Sequence, residues 1–462
     1  FPKFYQNELE LWIKKKSLLQ YFKCIFRYFK SIFKSLINFF NPFVIDLKKF
    51  KIKDKKIEVI FDNFKANINT KKKLYEFKIE EVQLGDLIYD TFLRETKSST
   101  INFEDGQLFK IAKKAIYDFF TWRNIAQERE AYAVIVTHTC YLQAIPARVF
   151  LKYNKKAFQV NHAGIYNLSL KRLWAYNEYY DFPDLFNKLP INFTNKLKKI
   201  SIKRLKRRFS GEVGVDMFYS TKSAFNNSQV KNQIKPSSKI KILVAPHCFL
   251  DSTHVYGNNL FTDFYEWMNY LGQISKNNKY DWYIKTHPDF MPATQKIIYN
   301  FLAKYPNFNL ISPKTSHHQI KNEGIDFVLT VYGSVGFEYA VLGIPVINAS
   351  INNPHFDYNF NINPKNIEEY STIINNLDKI KININSDEIY QFYATNNLIA
   401  HNNFIFEDFK KIMDNVGGYN KLFTSDIYNE LIKYIDKNKN NKIMEKIDKF
   451  VKSNQYTLID NY

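Results

Sequence analysis

GIDFVLTVYGSVGFEYAVLGIPVINAS, residues Gly324 to Ser350, reads as a buried strand, a Gly-Ser turn, a short helix, a Gly stop and a second strand. Asp326 to Val331 is a β-rich apolar run of the kind that fills a parallel sheet. Gly333 and Ser334 then open a helix whose first amides have no partners within the helix. Free amides and the positive end of the helix dipole suit a phosphate. Glu338 lies one turn into that helix, and Gly343 ends it before Pro345 starts the next strand. The unit reads as half of a nucleotide-handling α/β domain, with its ligand expected at the carboxyl edge of the sheet.

The same alternation precedes it. Ile240 to Ala245 (IKILVA) is a predicted strand ending in Pro246-His247, and a helix follows from Phe261 to Ser275. Trp282 to Thr286 is a strand ending in His287-Pro288, Ala293 to Lys304 a helix, and Phe308 to Ile311 a further strand. In a parallel sheet these strand ends share one edge, so His247, Lys285, His287, Gly333 and Ser334 converge on one cleft. A cationic Lys285, a His287 donor and the amides at Ser334 suit a nucleotide phosphate. Glu338 is a candidate for a ribose hydroxyl, or equally for capping a local network. Any one histidine at a strand end can be a hydrogen-bonded structural residue; convergence of three ends favours function.

Upstream the order is less regular. Ile57 to Phe61 is strand-like, Leu108 to Ala126 has helical periodicity, and Tyr132 to Thr137 (YAVIVT) reads as a buried strand ending at His138. A helix from Tyr141 to Leu151 and a strand from Ala157 to Val160 follow. The tail beyond Pro364 looks helical and rich in Asn and Lys. The expected organisation is a segment 1–45, an acceptor domain 46–209, a donor domain 210–365 and a helical region 366–462.

Charge and composition bound the rest. The chain has 462 residues and a formal net charge of +21, part of which reflects a bias toward Lys and Asn that accompanies AT-rich codons. In residues 1–45, Leu18, Phe22, Ile25, Phe29, Ile32, Phe33 and Leu36 recur at helical spacing among Lys and Arg. Such a basic helix either lies on an anionic membrane or packs on its own domain. A second basic run, Lys196 to Arg208 (KLKKISIKRLKRR), reads as a solvated connector, with acidic lipid or saccharide as the alternative. Nucleic acid is disfavoured, since no zinc-finger, RNP or helix-turn-helix pattern accompanies the charge. Cys24, Cys140 and Cys248 form neither a disulfide framework nor a zinc pattern, which implies a reducing compartment. No signal peptide or bilayer-spanning run is evident. The chain opens at Phe1 without a Met, and a short preceding segment is expected.

IKTHPDF (Ile284 to Phe290) followed by TVYGSVGFEYAVLGIPVI (Thr330 to Ile347) resembles the bacterial capsule and surface-polysaccharide glycosyltransferases. That group includes Kdo transferases and, more distantly, sialyl- and polysialyltransferases. PHCFLDSTHVYG (Pro246 to Gly257) is also similar to the surface-carbohydrate branch. The group shares a His-Pro motif and a Ser-containing turn that binds a cytidine nucleotide phosphate, which His287-Pro288 and Ser334 match. The resemblance spans roughly residues 240–350. It implies an α/β fold of glycosyltransferase type B, two Rossmann-like domains facing a cleft. Sialyl families often carry two serines where this chain has Gly333-Ser334, so the donor type stays open.

For the acceptor half, GDLIYDTFLRE (Gly85 to Glu95) groups Asp90, Arg94 and Glu95. FEDG (Phe103 to Gly106) resembles the acidic motif that supplies the base in polysialyltransferases, but it is also an ordinary loop with Asp105 as a helix cap. An inverting transfer needs a carboxylate or His to take the acceptor proton, and the candidates in order are Asp90, Asp105 and His138. Arg94 is the acceptor-binding candidate. No Asp-x-Asp ends a strand, so a divalent metal is not indicated, and the resemblance implies a CMP-linked nucleotide-sugar donor with no further cofactor. The leading expectation is a cytoplasmic glycosyltransferase, peripheral on the inner face of the membrane, moving Kdo or a sialic-like acid onto a saccharide or glycolipid acceptor. Rivals are a CDP-glycerol-type glycerophosphotransferase, a nucleotide-sugar 2-epimerase and a non-catalytic polysaccharide- or lipid-binding protein.

Overall fold

A computed structural model describes residues 55–458, apart from 129–130, 162–163, 217–219, 221, 227–229, 288–291, 401–408, 419–420, 422–423 and 434–436. The basic segment 1–45 lies outside the described residues. The described chain starts with helices α1 (Lys55–Asn67) and α2 (Lys71–Tyr75) and a small antiparallel hairpin, β1 (Lys78–Ile79) with β2 (Val82–Gln83). Helices α3 (Gly85–Thr96) and α4 (Gly106–Glu128) follow. The strand expected at Ile57 to Phe61 is thus the first turns of α1. Ile57 and Val59 would share a strand face, yet Ile57 is buried and Val59 is 59% exposed, while Ile57 and Phe64, both buried, lie on one face at helical spacing.

The N-terminal sheet is small and mixed. Strand β3 (Ala133–Val136) runs parallel to β4 (Lys156–Val160), linked by α5 (Ile145–Lys152), and β4 pairs antiparallel with β5 (Ile165–Asn167). The last described residues add to it, with the Leu458 amide donating to the Ile165 carbonyl and the Asn167 amide to Tyr456. The expected buried strand YAVIVT is an edge strand, with Tyr132 and Ile135 about two-thirds exposed (66% and 68%). Its apolar run indicated strand formation but not which side would be covered.

After α6 (Phe182–Asn187) and α7 (Ile191–Phe209) the regular α/β pattern begins. The second sheet holds β6 (Lys241–Val244), β7 (Asp281–Ile284), β8 (Phe308–Leu310), β9 (Phe327–Thr330) and β10 (Val346–Asn348), all parallel, in the order β10-β9-β6-β7-β8. Interleaved are α8 (Phe264–Ile274), α9 (Pro292–Lys304), α10 (His317–Asn322) and α11 (Val335–Val341). The sheet order reverses between β6 and β9, which is the position where doubly wound sheets open a crevice for ligand. One face of the sheet buries Trp267, Trp282 and Ile284, and the Trp267 indole N–H donates to the Tyr370 hydroxyl at 2.8 Å. The other face packs Leu243, Val328 and Tyr339.

Among the described residues beyond Pro364 are α12 (Ile367–Ile374), α13 (Ser386–Ala394), α14 (Phe409–Asn415), α15 (Ser425–Lys433) and α16 (Lys437–Lys452). Helix α13 packs on α7 and α11, and Phe450 of α16 contacts Phe158 of β4. No helix among the described residues is long and apolar enough to cross a membrane.

Candidate functional site

At the carboxyl edge of the parallel sheet lies a cavity of about 380 Å³, within the size range of nucleotide and small-ligand sites. Its lining includes His247 after β6, Lys285 and His287 after β7, and Gly333, Ser334 and Glu338 at the start of α11. Three loops that are far apart in sequence meet there because the strands are parallel and adjacent. The convergence expected from the strand ends is therefore realised in space. Pro288 lies outside the described residues.

The local geometry of each group follows from its element. His247 stacks on Phe264 (4.7 Å between centroids, 17° between planes), and its Nε2 accepts the Tyr332 backbone N–H at 3.2 Å. That bond leaves the ring proton on Nδ1, and burial pushes the imidazole pKa down to about 4, so His247 is a neutral buttress for the β9–α11 turn. Ser334 and His287 are exposed at the opening. Gly336 lets α11 sit against His355: a Cβ at this position would lie 2.5 Å from that ring. Gly343 takes a φ of +79° and ends α11 as the sequence required.

The floor is a buried charge network. Burial alone would raise the Glu338 carboxyl, but Arg208 and His317 outweigh it and hold Glu338 well below the usual carboxylate range. Arg208 also pairs with Asp216 at 2.7 Å, and Asp216 takes a second contact from Arg204 at 3.0 Å. Arg208 is thereby committed to two carboxylates. Lys285 is different. It is 4% exposed, and among the described residues its Nζ makes no hydrogen bond or ion pair. Burial pushes its pKa down to about 8, an effect that the more distant charge of Glu338 partly offsets. A desolvated ammonium lining a cavity is an anion site. Nearby His317 is held neutral by burial, its pKa pushed down to about 4.

At the rim, Asp251 lines the cavity with a side chain 58% exposed. The Tyr141 hydroxyl donates to its Oδ1 at 2.6 Å, and Arg94 lies at 3.6 Å. Tyr141 adopts a φ of +55°, uncommon for a bulky residue and indicative of a backbone held by its surroundings. Among the carboxylates of the lining, Glu338 and Asp216 are engaged with arginines in the floor, and Glu212 pairs with Arg207 outside it. Asp251 has the most exposed side chain of the four, and its described contacts, including the Ser252 amide at 2.9 Å, all fall on Oδ1.

No protein-family model matches the chain, and no curated protein matches it. It is similar to two solved structures from Thermosulfurimonas dismutans KpsC. The beta Kdo 2,4 transferase matches at 14% identity over 54% of this chain and 74% of that one, with a TM-score of 0.32. The beta Kdo 2,7 transferase matches at 13% identity over 62% of this chain and 87% of that one, with a TM-score of 0.35. A UDP-GlcNAc 2-epimerase from Neisseria meningitidis, bound to UDP-GlcNAc, matches at 13% identity over 62% and 76% of the two chains, with a TM-score of 0.25. At that level of likeness, strand order and cavity geometry carry the reading of this chain.

The three residues considered as bases lie elsewhere. Asp90 is 1% exposed and accepts from the Ser252 hydroxyl at 2.7 Å, the His254 amide at 3.1 Å and His254 Nδ1 at 2.7 Å. A carboxylate so engaged is a buried ion-pair member, outside the cavity lining. Asp105 accepts the Gln107 amide at 2.8 Å and caps α4, the alternative its loop motif offered. His138 follows the edge strand β3 with an exposed ring and does not line the cavity. Arg94 stands beside the site through Asp251.

Sequence reading missed Asp251, Arg208, Asp216 and His317. Asp251 sits in the PHCFLDSTHVYG loop, whose length after β6 was a usable signal. Arg208 was hidden in the basic run read as a connector: that run is α7, which buries Leu197, Ser201 and Leu205 and turns Arg204 and Arg208 inward at i,i+4 spacing. Among the described residues no cluster of three or more His, Cys, Asp or Glu side chains could hold a metal ion.

Proposed function

We propose that this protein is a glycosyltransferase that takes a sugar from a nucleoside-monophosphate donor and passes it to an acceptor hydroxyl. The observation that carries the reading is the cavity at the sheet's switch point, lined both by a buried Lys285 with no described ion-pair partner and by an exposed carboxylate, Asp251. In this reading the donor phosphate lies against Lys285, His287 and Ser334, and the departing monophosphate is stabilised there. Arg208 is neutralised by Glu338 and Asp216. One desolvated cation matches one phosphate better than a pyrophosphate. The resemblance of the His287-Pro288 and Ser334 motifs to surface-polysaccharide transferases supports a CMP-linked acidic sugar, Kdo or a sialic-like acid. Asp251 takes the proton of the acceptor hydroxyl as that oxygen bonds to the anomeric carbon and the carbon–oxygen bond to the departing monophosphate breaks. Contact of residues 1–45 with anionic lipid would place the enzyme near a glycolipid acceptor.

Thermal-shift screening of CMP, CDP, UDP and GDP, followed by donor turnover, tests the reading. Stabilisation by CMP and release of CMP from CMP-Kdo or a CMP-sialic acid support it. Transfer from CDP-glycerol alone, turnover of a UDP-sugar without acceptor, or indifference to every nucleotide would sink it. Deleting residues 1–40 should abolish cosedimentation with vesicles containing phosphatidylglycerol.

A further inference from the structure

Helix α3 presents Asp86, Asp90 and Arg94 at four-residue intervals, so all three lie along one face. Arg94 reaches Asp251 at the cavity rim, and Asp90 one turn earlier reaches Ser252 and His254 of the same loop. The pair Asp90–His254 is shut away from solvent, each side chain 2% exposed. Both ring nitrogens of His254 face acceptors: Nδ1 meets Asp90 Oδ1 at 2.7 Å and Nε2 meets the Thr262 carbonyl at 3.1 Å. Two acceptors require two N–H donors, so this geometry holds the doubly protonated imidazolium.

The surrounding charges agree. Asp86 is matched by Arg148 through two contacts of 2.6 Å, and Asp263 by Lys71 at 3.6 Å with hydroxyl bonds from Tyr89 and Thr100. Asp90 has His254 as its cation. The rings of Tyr75 and Tyr89 pack on the imidazole at 4.9 and 5.1 Å and close the site. Asp86 thus has Arg148, Asp263 shares Lys71 with Glu266 and leans on two hydroxyl donors, and a neutral His254 would leave Asp90 uncompensated.

We propose that the Asp90–His254 pair is a positioning device, which pins the 251–259 loop to α3 and so holds the Asp251 carboxylate at the mouth of the donor cavity. This rests on the transferase reading only for its consequence in turnover. The loop is anchored at its first residues by Asp90 and Ser252, and Asp251 is the residue immediately before those anchors. Its carboxylate is then set between Tyr141 and Arg94 of the N-terminal region. Asp90 and His254 act through Asp251 and touch no ligand.

Two variants test it, Asp90→Asn, which keeps shape but removes the charge, and the milder Ser252→Ala. Amide exchange is measured over 251–259 in the full chain without ligand. Exchange in this loop should rise roughly tenfold or more in Asp90→Asn, the scale of losing a hydrogen bond between charged groups, while amides of β6, β7 and β9 keep their protection. Ser252→Ala should give a smaller rise. Exchange of the loop unchanged in both variants, or raised equally across the sheet, overturns the proposal. In turnover, kcat should fall by about tenfold or more with the Kd for CMP within about twofold of wild type, a split that general destabilisation would not produce. A loss of CMP affinity equal to the loss of kcat overturns it. If no donor is turned over by the wild type, the transferase reading fails while loop exchange still decides whether the pair pins the loop.

Discussion

Lys285 and His317 face the same cavity, and burial moves both away from the charge they would carry in water. His317 stays neutral throughout the physiological range, whereas Lys285, pushed down to about 8, straddles it. An anionic ligand favours the protonated amine, so the affinity for CMP should fall by roughly tenfold between pH 7 and pH 9 as the free protein loses this charge. Lys285→Met should bind weakly and lose that pH dependence; calorimetric titration at both pH values decides it. His287→Ala and Ser334→Ala should weaken donor binding or turnover, by about tenfold each, with unfolding midpoints within a few degrees of wild type. Unchanged kinetics in both would remove the phosphate from this end of the cavity. These residues were legible in the sequence because each ends an apolar run. Asp251 was not, because nothing local distinguishes a loop carboxylate that meets Tyr141 and Arg94 from one that meets water.

Helix α11 shows how an element transmits a residue's constraint. It is short, it follows β9 through a turn buttressed by His247, and its Gly336 lies against His355. Gly336→Ala should push the helix off its seat and destabilise the protein by about 1–3 kcal/mol, measured by urea unfolding. Helix α7 meets α11 through Arg208 and Glu338. Because the folded Glu338 carboxyl lies below its ordinary value of 4.5, its contribution to stability is present above about pH 4.5 and lost as pH falls through the folded value. Glu338→Gln should flatten that acid limb of the stability–pH curve. The composition of the Lys196 to Arg208 run is that of a solvated connector. Its amphipathic register, with Leu197, Ser201 and Leu205 buried, was present in the sequence, but which partner it covers was not.

At the scale of the described molecule, the ion pairs Asp90–His254 and Lys71–Asp263 tie the N-terminal helices to the loop after β6, and Asp86–Arg148 joins two N-terminal helices. Asp86→Ala would strand Arg148, only 2% exposed, and should cost about 3–5 kcal/mol of unfolding free energy. Burial by itself would lower the His254 imidazole, but Asp90, with Asp86 and Asp263 beyond it, raises it above 6.5. The stability it contributes is therefore fully present below about pH 6.5 and lost as pH rises through the higher folded value. The unfolding midpoint of the wild type should decline over that alkaline interval, and Asp90→Asn should lack the decline.

The sequence by itself determined the parallel sheet of the C-terminal region and the convergence of His247, Lys285, His287 and Ser334. Apolar runs of strand length, punctuated by Gly and Pro, are local signals, and adjacency of parallel strand ends follows from them. The tertiary structure alone decided that Ile57 to Phe61 is helical, that β3 is an edge, that Asp90 is a buried partner and that Asp251 reaches the cavity. Each of these depends on what packs against a side chain. Burial and charge compensation are set by residues far along the chain, as Asp90 and His254 are 164 positions apart, and no local pattern encodes them.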